Sequence, residues 1–133
     1  MKQEEEPLKL FHQHVLIKAF VKNPPMTESH LEQWFTELVS LIGMKICIAP
    51  RAKYVDTLGN EGVTGVCGIE TSHLSLHCWS EITPAKIEMD CYSCSKFEVQ
   101  TILNKLSEFE LVKYEYMLID RNDEFKVIAH VST

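Results

Sequence analysis

From His73 to Trp79 the chain reads HLSLHCW, and polar residues alternate with apolar ones. A period of two belongs to an extended strand with one covered face, because successive side chains leave opposite sides of the backbone. A helix would scatter Leu74, Leu76 and Cys78 around its axis. On a strand these three face a core, while His73, Ser75, His77 and Trp79 face the other way. Such a strand needs neighbours in a sheet and a second layer over its apolar side.

The remaining sequence supplies both. Runs rich in apolar residues at His12–Val21, Lys45–Val55, Val63–Ile69, Lys86–Ser93, Leu111–Ile119 and Phe125–Val131 read as further strands. Pro50 interrupts the second of these, and Gly65 and Gly68 in the third indicate a close approach of another group to the backbone. Turns are expected at Thr57–Gly62, Ile82–Pro84 and Arg121–Asp123. Leu31, Trp34, Phe35, Leu38 and Ile42 recur at helical spacing over Glu28–Leu41. Ser29 and Glu32 have the capping-box pattern at its start, and Gly43 stands where a C-terminal cap is needed. Ser95 and Glu98 repeat that pattern before Val99, Ile102, Leu103 and Leu106, which predict a helix of about a dozen residues. Residues 1–8 are charged and read as loose. The order predicts an α+β fold: a two-layer α/β sandwich, mainly antiparallel, with two helices on one face, as a single domain over 1–133. Two helices leave the second sheet face uncovered, so a homodimer is expected.

Composition narrows the partners. A chain of 133 residues with 45% hydrophobic and 24% charged residues suits one globular core. Its net charge of -6 argues against phosphate-driven nucleic-acid binding. No apolar run approaches the roughly 18 residues of a membrane helix, and the acidic N-terminus does not read as a signal peptide. A cytoplasmic location is expected. The five cysteines then read as reduced thiols.

Several chemistries compete for the histidine-bearing strand. His73 and His77 share a face but lie roughly 13 Å apart at strand rise, too far for one metal ion, and the lone Cys91–Cys94 CxxC is a weak zinc signal. No metal is expected. That CxxC also lacks the strand-to-helix setting of a thiol redox motif. In the plain structural alternative, His77 and Glu81 are exposed strand-end residues and Cys94 is a small filler.

The run VTGVCGIETSHLSLHCWSE followed by DCYSC resembles the bacterial S-adenosylmethionine decarboxylase family, which reads near V-S-G-V-x-x-I-x-E-S-H-L-x-I-H-T-W-P-E and then D-x-F-T-C. The matches are Val63, Gly65, Val66, Ile69, Ser72, His73, Leu74, His77, Trp79, Glu81, Asp90 and Cys94. This resemblance implies a proenzyme that cuts its own backbone between Thr71 and Ser72, Ser72 becoming a pyruvoyl group that forms a Schiff base with S-adenosylmethionine. The decarboxylated product is the aminopropyl donor for spermidine. By the same resemblance, His77 and Thr64 assist processing, Cys94 donates a proton to the product carbon, and Glu81 binds the ribose hydroxyls. Four departures stand out. Thr71 replaces the family's glutamate before the cut, Leu58 lies where an adenine-stacking aromatic is usual, Lys18 replaces an acid in the first strand, and the Trp79–Cys94 interval is two residues longer. They leave two rivals open: a non-processing homologue acting as a binding or regulatory partner, and a pyruvoyl decarboxylase of another amino acid.

Overall fold

The computed structural model describes residues 11–133; the expectation for residues 1–8 lies outside them. Strands β1 (Gln13–Val21), β2 (Ile46–Val55), β3 (Gly62–Ile69), β4 (Ser72–Trp79), β5 (Ala85–Ser93), β6 (Leu111–Asp120) and β7 (Lys126–Ser132) form one sheet in the order β2-β3-β4-β5-β1-β6-β7. Every pairing is antiparallel, so the expected mainly antiparallel sheet is wholly so. Helices α1 (Glu28–Leu41) and α2 (Val99–Leu106) cover one face, and a 3₁₀ turn at Ser107–Phe109 extends α2. No described helix is long and apolar enough to cross a membrane.

The alternation in β4 is realised as expected. Leu74, Leu76 and Cys78 are fully buried under the helices, together with Val15, Ile17 and Ala19 of β1 and Ile87 and Cys91 of β5. Burying each leucine stabilises the fold by about 1.5–3 kcal/mol. Helix α1 adds Leu31, Trp34, Phe35 and Leu38, and the Trp34 ring stacks on Phe109 at 5.1 Å between centres. Gly65 explains how α1 lies so near β3: a Cβ there would sit 2.7 Å from Cδ2 of Leu31.

Both capping boxes are corrected by the structure. The N-cap of α1 is Thr27, whose Oγ1 accepts the His30 N–H at 3.1 Å, two residues before the Ser29 of the sequence pattern. Glu32 is turned instead toward β2, where it accepts the Ala52 N–H at 3.0 Å. Helix α2 has Glu98 at its N-cap with no side-chain bond, and the Ser95 N–H donates to Ser93 Oγ. Gly43, with φ +75°, does follow the end of α1 as expected.

On the uncovered face the register sets side chains in rows across the strands. Gly68, His73, Tyr92 and His14 form one row. Val66, Ser75, Asp90, Leu16 and Met117 form the next, and Thr64, His77, Glu88, Lys18 and Glu115 the third. Leu16 and Val66 are 42% and 54% exposed, so this face carries apolar side chains with no helix over them.

Candidate active site

The bond before Ser72 lies in a tight turn. Ile69 pairs with Ser72, leaving Glu70 and Thr71 to join β3 to β4. Ser72 is drawn into positive φ, +156°, which residues with a Cβ rarely adopt and which costs on the order of 1–3 kcal/mol. The Thr71 carbonyl oxygen accepts the Cys94 backbone N–H at 3.0 Å. The Thr71 hydroxyl accepts from Ser93 Oγ at 2.8 Å and donates toward Met44 Sδ at 3.4 Å. Ser93 is completely buried, so both ends of the Thr71 residue are held. Ser72, Thr71 and Cys94 are thus brought together.

Thr64 and His77 form a second cluster. They pair directly across β3 and β4, and the Thr64 hydroxyl hydrogen-bonds to Nδ1 of His77. Burial pushes the His77 imidazole below its ordinary pKa, with Glu88 pulling weakly the other way. Nε2 of His77 is buried without a partner among the described residues. Beyond it, Leu58 and Glu81 line one cavity of about 630 Å³ with Glu61, Trp79 and Lys86. Leu58 itself is 91% exposed, so it presents apolar surface rather than filling a core.

The two clusters do not meet within one chain. Ser72 and His77 are five residues apart on one strand, about 17 Å at strand rise. An odd separation also puts their side chains on opposite faces.

Between the clusters lies a polar group that spacing alone did not single out. Asp90 accepts hydrogen bonds from Nε2 of His14 at 2.7 Å, from Nε2 of His73 at 3.0 Å and from the Ser75 hydroxyl. Burial by itself would raise the Asp90 carboxyl, but these three bonds outweigh it and hold the group below the usual carboxylate range. The ligand atoms of His14, His73 and Asp90 lie within 4.8 Å of one another, near enough for one cation. Arg121 decides against it. Its guanidinium contacts Nδ1 of His14 at 3.2 Å and can only donate, so the His14 proton sits on Nε2, aimed at Asp90. A metal-bound imidazole needs the reverse arrangement. The group is a caged carboxylate. Asp90 was visible in the sequence as part of the DCYSC match, but nothing there joined it to His14.

The CxxC cysteines are likewise separated. Cys91 points into the core, where burial pushes its thiol up to about 12, while Cys94 lies past the strand end and is partly exposed.

The sequence profile described as S-adenosylmethionine decarboxylase matches residues 13–122. The chain belongs to the S-adenosylmethionine decarboxylase family. The match runs from β1 to the β6–β7 turn and so contains both clusters. Among solved structures, the crystal structure of the adenosylmethionine decarboxylase from Aquifex aeolicus VF5 superimposes with a TM-score of 0.71. It is 15% identical, and the superposition covers 85% of this chain and 92% of that one, a likeness of fold. No curated protein matches the sequence.

Proposed function

We propose that this S-adenosylmethionine decarboxylase family member cuts itself between Thr71 and Ser72 and then decarboxylates S-adenosylmethionine, the step that supplies the aminopropyl donor for spermidine. The Thr71 carbonyl carries this reading: its oxygen already accepts the Cys94 N–H at the bond before a strained serine. When Ser72 Oγ adds to that carbonyl carbon, negative charge develops on the oxygen facing the Cys94 N–H. Breaking the Thr71–Ser72 C–N bond leaves an ester and relieves the positive φ of Ser72. A base must then remove the Ser72 Cα proton so that the Thr71 carboxylate departs, leaving a dehydroalanine whose imine form takes up water and loses ammonia to become the pyruvoyl group. His77 suits that task, because burial keeps its imidazole neutral and Thr64 orients it.

The residues fit a pyruvoyl group at position 72, which would supply the carbonyl electron sink that side chains lack. Cys94 stands beside it to return a proton to carbon. Glu81 offers carboxylate oxygens to ribose hydroxyls, and Leu58 offers an apolar wall for adenine in the same cavity. Lys18, the cation in place of an acid, lies between Glu88 and Glu115 in the cross-strand register, which offsets its charge.

Since His77 and the Glu81 cavity lie too far along the strand to serve Ser72 of their own chain, the working unit is a homodimer packed through the uncovered faces. A two-fold axis between the sheets, crossing the strands near Ser75, reverses strand direction. It sets the Ser72 end of one copy over the His77 end of the other. The exposed Leu16 and Val66 supply apolar contact.

Denaturing mass spectrometry of freshly purified protein tests the reading. The expected species are residues 1–71 and 72–133, with release of labelled CO₂ from carboxyl-labelled S-adenosylmethionine. A persistent 15.3 kDa chain without CO₂ release would refute it and favour the non-processing homologue. The pinned Thr71 hydroxyl is the observation behind that second reading. CO₂ release from another amino acid alone would favour the changed substrate.

A further inference from the structure

The turn after β6 brings a permanent positive charge to the Ser72–Cys94 end of the uncovered face. The Arg121 N–H donates to the His12 carbonyl at 2.7 Å, which anchors the residue beside β1. From there the guanidinium reaches across β1 to β5, with Cζ 4.0 Å from the centre of the Tyr92 ring. Phe125 flanks it at 5.2 Å. Tyr92 is two residues before Cys94, pairs with His73, and precedes Ser93, the partner of Ser72. Its hydroxyl is hydrogen-bonded to Nδ1 of His12 at 2.8 Å, which fixes the ring under the guanidinium.

Two aromatic rings flank the guanidinium, and one N–H is given to His14. The remaining donors of its five have no carboxylate: among the described residues none lies within 4.0 Å of Arg121. Asp90, the acid of this cluster, already accepts from Ser75, His14 and His73 and faces Arg121 only through the His14 ring. Other cations on this face are compensated: Lys86 lies 3.4 Å from Glu88, and Lys18 sits between Glu88 and Glu115. Arg121 therefore offers a fork suited to two parallel bonds to a carboxylate, over Tyr92 and so two residues before Cys94, at the end of the sheet where the Thr71–Ser72 bond lies.

We propose that Arg121 is the receptor for the substrate's α-carboxylate. This rests on the decarboxylase reading and adds which side chain distinguishes substrate from product. Arg121 holds the group that leaves, so its bond is no stronger in the transition state than in the bound substrate and does not lower the barrier. Its contribution belongs in binding, not in turnover.

The test separates this proposal from the reading beneath it. Full-length Ser72→Ala protein, which cannot form the pyruvoyl group, is titrated calorimetrically with S-adenosylmethionine and with its decarboxylated product. The parent is expected to bind the carboxylate-bearing ligand more tightly. Adding Arg121→Gln should weaken that ligand roughly tenfold or more and leave the product's affinity unchanged, while Arg121→Lys keeps part of the preference. In the self-processed protein, Arg121→Gln should raise KM with kcat maintained. Equal affinities of the Gln variant and the parent for the substrate, or equal losses for both ligands, would overturn the assignment. A Ser72→Ala parent that binds neither ligand would sink the decarboxylase reading itself, and Arg121's role with it.

Discussion

Asp90 accepts hydrogen bonds from β1 and β4 at once, through His14, His73 and Ser75. Its carboxyl is held below the ordinary range despite burial. A carboxylate depressed in the folded state contributes stability above its unfolded value, near 3.9, and loses that contribution as pH falls through and below it. Asp90→Asn is therefore expected to destabilise the protein by about 1–3 kcal/mol at neutral pH, because two imidazole N–H groups and a hydroxyl lose their anion. The gap between variant and parent should narrow as pH drops from about 5 toward 3. Thermal unfolding across that range checks it, and a gap that stays constant would contradict the role given to the charge. At this scale Ser72, His77 and Cys94 could be singled out as candidates because they lie in one short stretch with a recognisable spacing. His14 and Arg121 were not, because their neighbours are chosen by pairing between strands far apart in sequence.

Helix α1 shows how element boundaries were read correctly while the contacts that set them were not. The apolar spacing of Leu31, Trp34, Phe35 and Leu38 placed a helix at about Glu28 to Leu41, where it is found. Ser29 and Glu32 nevertheless do not form a capping box. Glu28 and Glu32 accept the outward N–H groups of Tyr54 and Ala52 at 2.8 and 3.0 Å. These are edge groups of β2, which would otherwise stand open to pairing with another chain. Recruiting Glu32 to the sheet leaves the cap to Thr27. Thr27→Ala is accordingly expected to cost about 1 kcal/mol and Ser29→Ala close to nothing, measured by chemical denaturation. Equal losses at the two positions would restore the box. The residue pattern is local, whereas the competing acceptor site on β2 exists only once helix and sheet have packed.

For the molecule as a whole, the decisive fact is that the residues proposed for processing, Ser72 and His77, lie at opposite ends of β4. If the homodimer joins them, each centre uses Ser72 from one copy and His77 from the other. Ser72→Ala and His77→Ala proteins should each stay intact when purified alone. Co-expressed, they should form mixed dimers in which the His77→Ala chain is cut and the Ser72→Ala chain is not. Mass spectrometry of the mixture reads this directly, and an uncut His77→Ala chain in verified mixed dimers would rule out the shared centre.

The α+β class, the number and order of strands and helices, and the faces of β4 were determined by the sequence itself. Periodicity of two or 3.6 residues is a local property that burial enforces wherever the segment lands. The family frame was also legible, because its motif lies in one continuous stretch. Tertiary structure alone decided that Thr71 faces Cys94 N–H, that His14 and His73 converge on Asp90, and that Arg121 lies over Tyr92. Each depends on a register between distant strands, where a slip of one residue would send every side chain to the other face.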